Sequence, residues 1–294
     1  MRTTRRQFVV QTGFGIAGAG LALSGAFAGD GKPALRLSAC DWSLGALGPE
    51  GLAAAAAVGL DGLEISAAAD NGHPGDVLAI ADAERRLAYK QNAETHGVAV
   101  SSVAMGLLNG FPMVSDPRAM AWVEQTIDGT KDLGANVMLM AFFGKGDLRD
   151  KSGTLKASDV DTLVGQLKEL APKAEKAGVM LGLENTLSAE QNLDILSRVK
   201  SSAVRVYYDV GNSTANGYDV PGEIRLLGDR ICQIHFKDNK GHLGEGEVNM
   251  NAVAEAMRAI AYAGWVVLET KVLGDREADF KRNAAFSRAL LANA

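Results

Sequence analysis

Two cysteines among 294 residues cannot build a disulfide scaffold, and the seven prolines form no Pro/Ser-rich linker that would divide the chain. Basic residues are in the minority, 30 Lys and Arg against 35 Asp and Glu, and no basic block follows the first few positions. The electrostatic footprint of nucleic-acid binding is missing, so nucleic acid is not an expected partner. Only one apolar run approaches bilayer-crossing length, at the N-terminus beside a cluster of arginines, which excludes a polytopic membrane protein. No G-x-G-x-x-G follows the first strand-like run, which weakens a dinucleotide-binding doubly wound sheet as the alternative fold. What remains is ordinary globular composition, 47% hydrophobic and 22% charged.

Residues 1–28 read as an export signal. Arg2, Arg5 and Arg6 precede an apolar Ala/Gly-rich stretch, which ends in the small-x-small site Ala26-Phe27-Ala28. Thr4-Arg5-Arg6-Gln7-Phe8-Val9 resembles the twin-arginine motif. Four glycines between Gly13 and Gly20 would each destabilise an ordinary helix by about 1 kcal/mol. The expected partner is the twin-arginine export machinery, the expected location is the periplasm, and no stable membrane span remains after processing. Cys40 and Cys232 fall in apolar runs and are expected to stay unpaired.

Residues 29–294 show one architecture. Short β-rich runs at Leu35–Ser43, Gly62–Ser66, Val98–Met105, Asn136–Phe143, Val179–Asn185, Val204–Val210, Ile231–Lys237 and Trp265–Thr270 alternate with helical patterns. The helical patterns include Ala121–Leu133, Ser158–Lys176 and Val253–Tyr262, with shorter helices at Asp194–Ser197 and Glu223–Leu227. A glycine before several strands reads as a helix C-cap. Eight such units predict an α/β fold, a single (β/α)₈ barrel, closed by a C-terminal helix through Asp279–Leu291.

Active sites of such barrels lie at the C-terminal ends of the strands. The last four strands end in Leu183-Glu184-Asn185, Tyr208-Asp209-Val210, Ile234-His235-Phe236 and Leu268-Glu269-Thr270, one metal-ligand type each. A lone strand-end carboxylate more often caps the next helix. Four in phase are different, because three crowded carboxylates repel and take up protons unless a cation neutralises them. Three oxygen ligands and one imidazole suit one divalent ion, Mn²⁺ ahead of Mg²⁺, Co²⁺ and Zn²⁺.

Glu184 in "LGLENT", Asp209 in "YYDVGN", His235 in "IHFKD" and Glu269 in "VVLET" resemble the xylose isomerase-like superfamily of TIM barrels. That superfamily includes sugar phosphate isomerases and epimerases, ketose 3-epimerases, hydroxypyruvate isomerases and inosose dehydratases. Ketose 3-epimerases typically place a substrate-contacting histidine three residues after the aspartate; this chain departs from them with Asn212. Endonuclease IV relatives need a multi-histidine zinc site, and four histidines in all do not supply it. Lys237, two residues beyond His235, falls on the same side as the ligand. Glu245 in "GEGE" and Trp42 near the end of the first strand are further candidates for sugar contacts. His73 and His242 sit in loops on the active face, and His96 on the opposite one.

The resemblance implies a small-molecule sugar substrate and an enzyme in which a bound ion stabilises the enediolate of a keto-sugar while Glu184 and Glu269 exchange its proton. Isomerisation or epimerisation is the first expectation. A lyase or hydratase acting on exported keto-sugars or keto-glycosides is the alternative, favoured by the export signal and by the lack of a phosphate-binding loop. A non-catalytic carbohydrate-binding barrel is the third. A homo-oligomer is compatible with the sequence.

Overall fold

The computed structural model describes residues 35–68 and 74–292, so the export signal and His73 lie outside the described residues. Eight parallel strands close into a barrel in sequence order: β1 (Leu37–Cys40), β2 (Gly62–Ser66), β3 (Ala99–Met105), β4 (Val137–Phe142), β5 (Met180–Asn185), β6 (Val204–Asp209), β7 (Ile231–Phe236) and β8 (Val266–Leu268). Between and after them run α1 (Asp41–Leu44), α2 (Gly51–Ala57), α3 (Ala83–His96), α4 (Ala119–Asp132), α5 (Ala157–Ala177), α6 (Ala189–Val199), α7 (Val210–Ala215), α8 (Val220–Leu227), α9 (Met250–Ala259) and the closing helix α10 (Arg276–Ala292).

The helices pack on the barrel through apolar stripes. In α5, Val160, Leu163, Val164, Leu167, Leu170, Ala171 and Ala174 are buried at three- and four-residue spacing. Full burial of each large aliphatic side chain contributes about 1.5–3 kcal/mol. Gly97 and Gly178 end α3 and α5 with φ of 65° and 72°, a left-handed conformation that lets the chain turn directly into the next strand. Helix α6 is longer than the Asp194–Ser197 expected from sequence, spanning 11 residues. A capping box starts it: Ser188 Oγ accepts the Gln191 N–H and Gln191 Oε1 accepts the Ser188 N–H.

Two register shifts tune the inside of the barrel. Between β2 and β3 the pairing moves from Leu63 opposite Val100 to Glu64 opposite Ser102. Between β6 and β7 it moves from Val206 opposite Ile231 to Tyr207 opposite Gln233, which sets Asp209 opposite His235. Each shift leaves one extra residue, Ser101 or Cys232, on the bulged strand and re-aims the side chains beyond it. Cys40 and Cys232 are both buried free thiols. No helix among the described residues is long and apolar enough to cross a membrane.

Candidate metal and active site

Glu184 ends β5, Asp209 ends β6, His235 lies near the end of β7, and Glu269 follows β8. One ligand atom from each lies within 4.8 Å of the others. His235 is fully buried, and its Nδ1 is 3.3 Å from Glu184, 3.4 Å from Glu269 and 3.7 Å from Asp209. Asp209 also performs the ordinary task of a strand-end carboxylate: its Oδ1 accepts the Asn212 N–H at 2.7 Å and caps α7. Its buried Oδ2 has no hydrogen-bond partner. Three carboxyl groups, one imidazole nitrogen and an orphaned buried oxygen form a donor set that fits a divalent cation.

The charges are unequally held. Burial pushes the Glu184 carboxyl up, with Asp209 adding to the rise and His235 and Lys237 opposing it. Burial likewise raises Glu269 to about 7, with Asp209 and Glu184 adding to the rise. For Asp209, burial is outweighed by its contacts with His235 and Lys237, which hold the carboxyl below its ordinary value. Burial by itself would lower the His235 pKa, but the groups around the ring, Tyr207, Cys40, Glu64 and Glu184, raise it well above the ordinary value.

Lys237 Nζ lies 2.9 Å from Glu269 Oε2 and 3.7 Å from Asp209 Oδ2. Gly211 makes room for it, since a β-carbon there would come within 2.9 Å of Lys237 Cβ and 2.8 Å of its Cγ. Trp42 belongs to α1 rather than to the first strand, which ends at Cys40. Its Nε1 donates to Glu269 Oε1 at 3.2 Å, and its ring meets the His235 ring edge-on with centroids 6.4 Å apart. Trp42, Asn212, Lys237, Glu184 and Glu269 share a cleft of about 630 Å³ that Leu107, Phe111 and Phe143 also line.

Other candidates stand apart. Glu245 does not line that cleft; it pairs with Arg282 of α10 and lies 3.6 Å from His242. His242 binds Asp279 of the same helix at 2.8 Å, and His96 is the exposed last residue of α3.

Sequence reasoning assigned no role to Glu64. This fully buried β2 glutamate reaches His235 Nε2 through Oε1 at 2.9 Å, and its Oε2 accepts from Ser102 Oγ at 2.6 Å and Tyr207 OH at 2.7 Å. Burial would push its carboxyl up, but His235 and these donors outweigh it and leave the group below its ordinary value. The sequence signal was an acid in the middle of "GLEIS", in an otherwise apolar strand.

Residues 52–290 match the family described as xylose isomerase-like TIM barrel. The chain belongs to that family. Among its relatives is the 2-epi-5-epi-valiolone 7-phosphate 2-epimerase of Actinoplanes sp., 25% identical over 88% of this chain and 96% of the relative. Other alignments span only part of the relative. One is with an uncharacterized protein of Methanocaldococcus jannaschii, 24% identical over 52% of this chain and 57% of that protein. Another is with the D-psicose 3-epimerase of Enterocloster bolteae, 29% identical over 40% of this chain and 42% of the relative. The fold is shared with the crystal structure of the 3-keto-D-glucoside 4-epimerase of E. coli in its apo form. There the TM-score is 0.72 at 15% identity, over 87% of this chain and 99% of that one.

Proposed function

We propose that this protein is a divalent-metal-dependent isomerase or epimerase of a keto-sugar, with Glu184 and Glu269 as the proton-transfer pair. The observation that carries the reading is the convergence of these two glutamates, from strands five and eight, on one buried cluster with Asp209 and His235. Burial raises both carboxyls, Glu269 to about 7, so each is a group that can take up a proton. Relatives that act as a cyclitol-phosphate epimerase and a ketose epimerase support the same chemistry.

Glu184, Asp209, His235 and Glu269 would hold a divalent ion, which would supply positive charge to offset the negative charge that develops as the α-proton is lost. Trp42 offers an aromatic surface beside Glu269, and Asn212 and Lys237 offer donors to sugar oxygens. Burial by itself would lower the Lys237 pKa, but Asp209, Glu269 and Glu184 raise it above its ordinary value. It therefore serves as a fixed cation that polarises a carbonyl, and is poorly suited to carry protons itself. One glutamate removes the α-proton. The other delivers a proton to the opposite face of that carbon, or to the neighbouring carbon.

The same site expels a β-substituent where the substrate carries one, as in a keto-glycoside. The apolar wall of Leu107, Phe111 and Phe143 favours this second reading by offering a surface to an aglycone. Export through the twin-arginine route belongs to the proposal and is supported by Arg5-Arg6 ahead of a weakly hydrophobic segment. Proton NMR of Mn²⁺-treated, then Mg²⁺-exchanged protein with a keto-sugar panel in deuterium oxide tests both readings. Deuterium entering one carbon without loss of a group marks epimerisation or isomerisation, and a vinylic signal marks elimination. No exchange with any panel member would leave a non-catalytic binding barrel.

A further inference from the structure

We propose that Glu64 is a positioning residue, which locks the His235 ring so that Nδ1 is the nitrogen presented to a divalent cation. The inference rests on the metal reading given above. An imidazole that binds a cation gives up the proton on the coordinating nitrogen and keeps the one on the other, and its partners decide which nitrogen is which. His235 Nδ1 faces Glu184, Asp209 and Glu269, while Nε2 faces Glu64 Oε1 at 2.9 Å and, farther off, Cys40 Sγ at 3.5 Å, whose own proton goes to Glu64 Oε1. An ionised carboxylate only accepts hydrogen bonds, so Glu64 requires the proton on Nε2 and leaves the Nδ1 lone pair for the cation.

The carboxylate is itself bracketed. Ser102 Oγ and Tyr207 OH donate to its second oxygen, and Gln233 Nε2 donates to both hydroxyls, at 2.8 Å and 3.0 Å. Cys40 Sγ lies 3.4 Å from the first oxygen. With Glu64 itself, these groups come from five strands and occupy the barrel interior, where branched apolar side chains are the usual filling. The two register shifts support the same arrangement, for they bring Ser102 opposite Glu64 and Gln233 opposite Tyr207. A buried polar layer of this kind has a cost: its donors are fitted to the carboxylate and to one another, while Gln233 Oε1 is left without a partner. Metal-bound histidines commonly donate their second N–H to a carboxylate, and loss of that partner typically weakens metal binding about 10- to 100-fold.

The test is a Mn²⁺ titration of the full chain, read by the EPR signal of free Mn²⁺. Glu64→Gln is expected to weaken binding about 10- to 100-fold. Tyr207→Phe, which keeps the carboxylate but removes one donor, is expected to weaken it less and in the same direction. The second readout is the long-range ¹H–¹⁵N spectrum of histidine-labelled, Mg²⁺-loaded protein, with the His235 signals assigned by their loss in His235→Ala. The parent should show the Nε2–H pattern, and Glu64→Gln should lose or mix it. If the parent binds Mn²⁺ and Glu64→Gln binds it equally well with the tautomer unchanged, the positioning role is wrong while the metal reading stands. Should Glu64→Gln not fold, Glu64→Asp, whose shorter side chain withdraws the carboxylate from Nε2, takes its place, and unchanged Mn²⁺ binding and tautomer in that variant decide against the role. A parent that binds no Mn²⁺ overturns both.

Discussion

The Lys237 ammonium sits 2.9 Å from Glu269 Oε2 and holds down a carboxyl that burial alone would push higher still. Glu269 stands near 7 with this cation in place. Removing the charge removes one of the two interactions that lower it. In Lys237→Met the acidic limb of the kcat/KM pH profile is therefore expected to move to higher pH, while Lys237→Arg, which keeps the charge, should move it less. A limb that stays at the parental pH in Lys237→Met would mean that Glu269 is not the group it reports.

Gly211 gives a second handle on the same lysine. A β-carbon at this position would fall 2.7 Å from Lys237 O, which is backbone and cannot swing aside. Gly211→Ala should therefore displace β7 where it leaves the barrel, raise KM and lower the melting temperature together. Parental values for both would show that the close approach is easily relieved.

Substituting the paired glutamates separates holding a cation from moving a proton. The amide of Glu184→Gln or Glu269→Gln keeps an oxygen that can coordinate, but it has no basic site near neutral pH. General acid–base catalysis is worth about 10²–10⁴ in rate, so each variant should lose at least that much of kcat with the fold intact. Asp209→Asn and His235→Ala should act first on metal affinity, and added Mn²⁺ should partly rescue them. Near-parental turnover by either glutamate variant with metal shown to be bound would confine that residue to ligation.

Much of this site was legible because its logic is periodic. One acid or imidazole near the end of each of four successive strands, spaced by about one βα unit, needs no coordinates to be read as a cluster. The eight strands emerged for the same reason, each an apolar run followed by a helical pattern, and their ends were misplaced by only a few residues. Glu64 was not legible because its meaning lies across the barrel: His235 is 171 positions away and Tyr207 is 143. The bulges at Ser101 and Cys232 were hidden too, since a register shift changes the inward phase without changing composition. Glu245 shows the opposite limit, because a turn between glycines on the active face looks the same in sequence whether it lines the cleft or, as here, lies outside it and pairs with Arg282.

Cation binding should also register in stability. Asp209 Oδ2 is buried without a hydrogen-bond partner, and three carboxyls face one another across the cluster. Saturation at 100 times the dissociation constant stabilises a folded state by about 2.7 kcal/mol. Chelator treatment should lower the melting temperature of the parent and leave that of Asp209→Asn nearly unchanged. Equal melting temperatures for chelated and Mn²⁺-saturated parent would argue against a cation at this cluster.

Acid sensitivity should arise away from the cleft, at the clasp between α10 and the loop before it. Asp279 accepts hydrogen bonds from the backbone of Leu273 at 2.7 Å and Gly274 at 2.9 Å, and meets His242 Nε2 at 2.8 Å. The His242 contact first, and then the two backbone donors, hold the Asp279 carboxyl down to about 2. An unfolded aspartate titrates near about 3.9. Because the folded value is the lower one, the unfolded chain binds more protons between these limits. The contribution is therefore complete above about pH 4 and is lost as pH falls toward about 2. Asp279→Asn keeps an acceptor but not the charge, so it should melt below the parent at pH 6, with the gap narrowing between pH 4 and pH 3. A gap of constant size over that range would place the effect in packing of α10 and not in the ionised carboxylate.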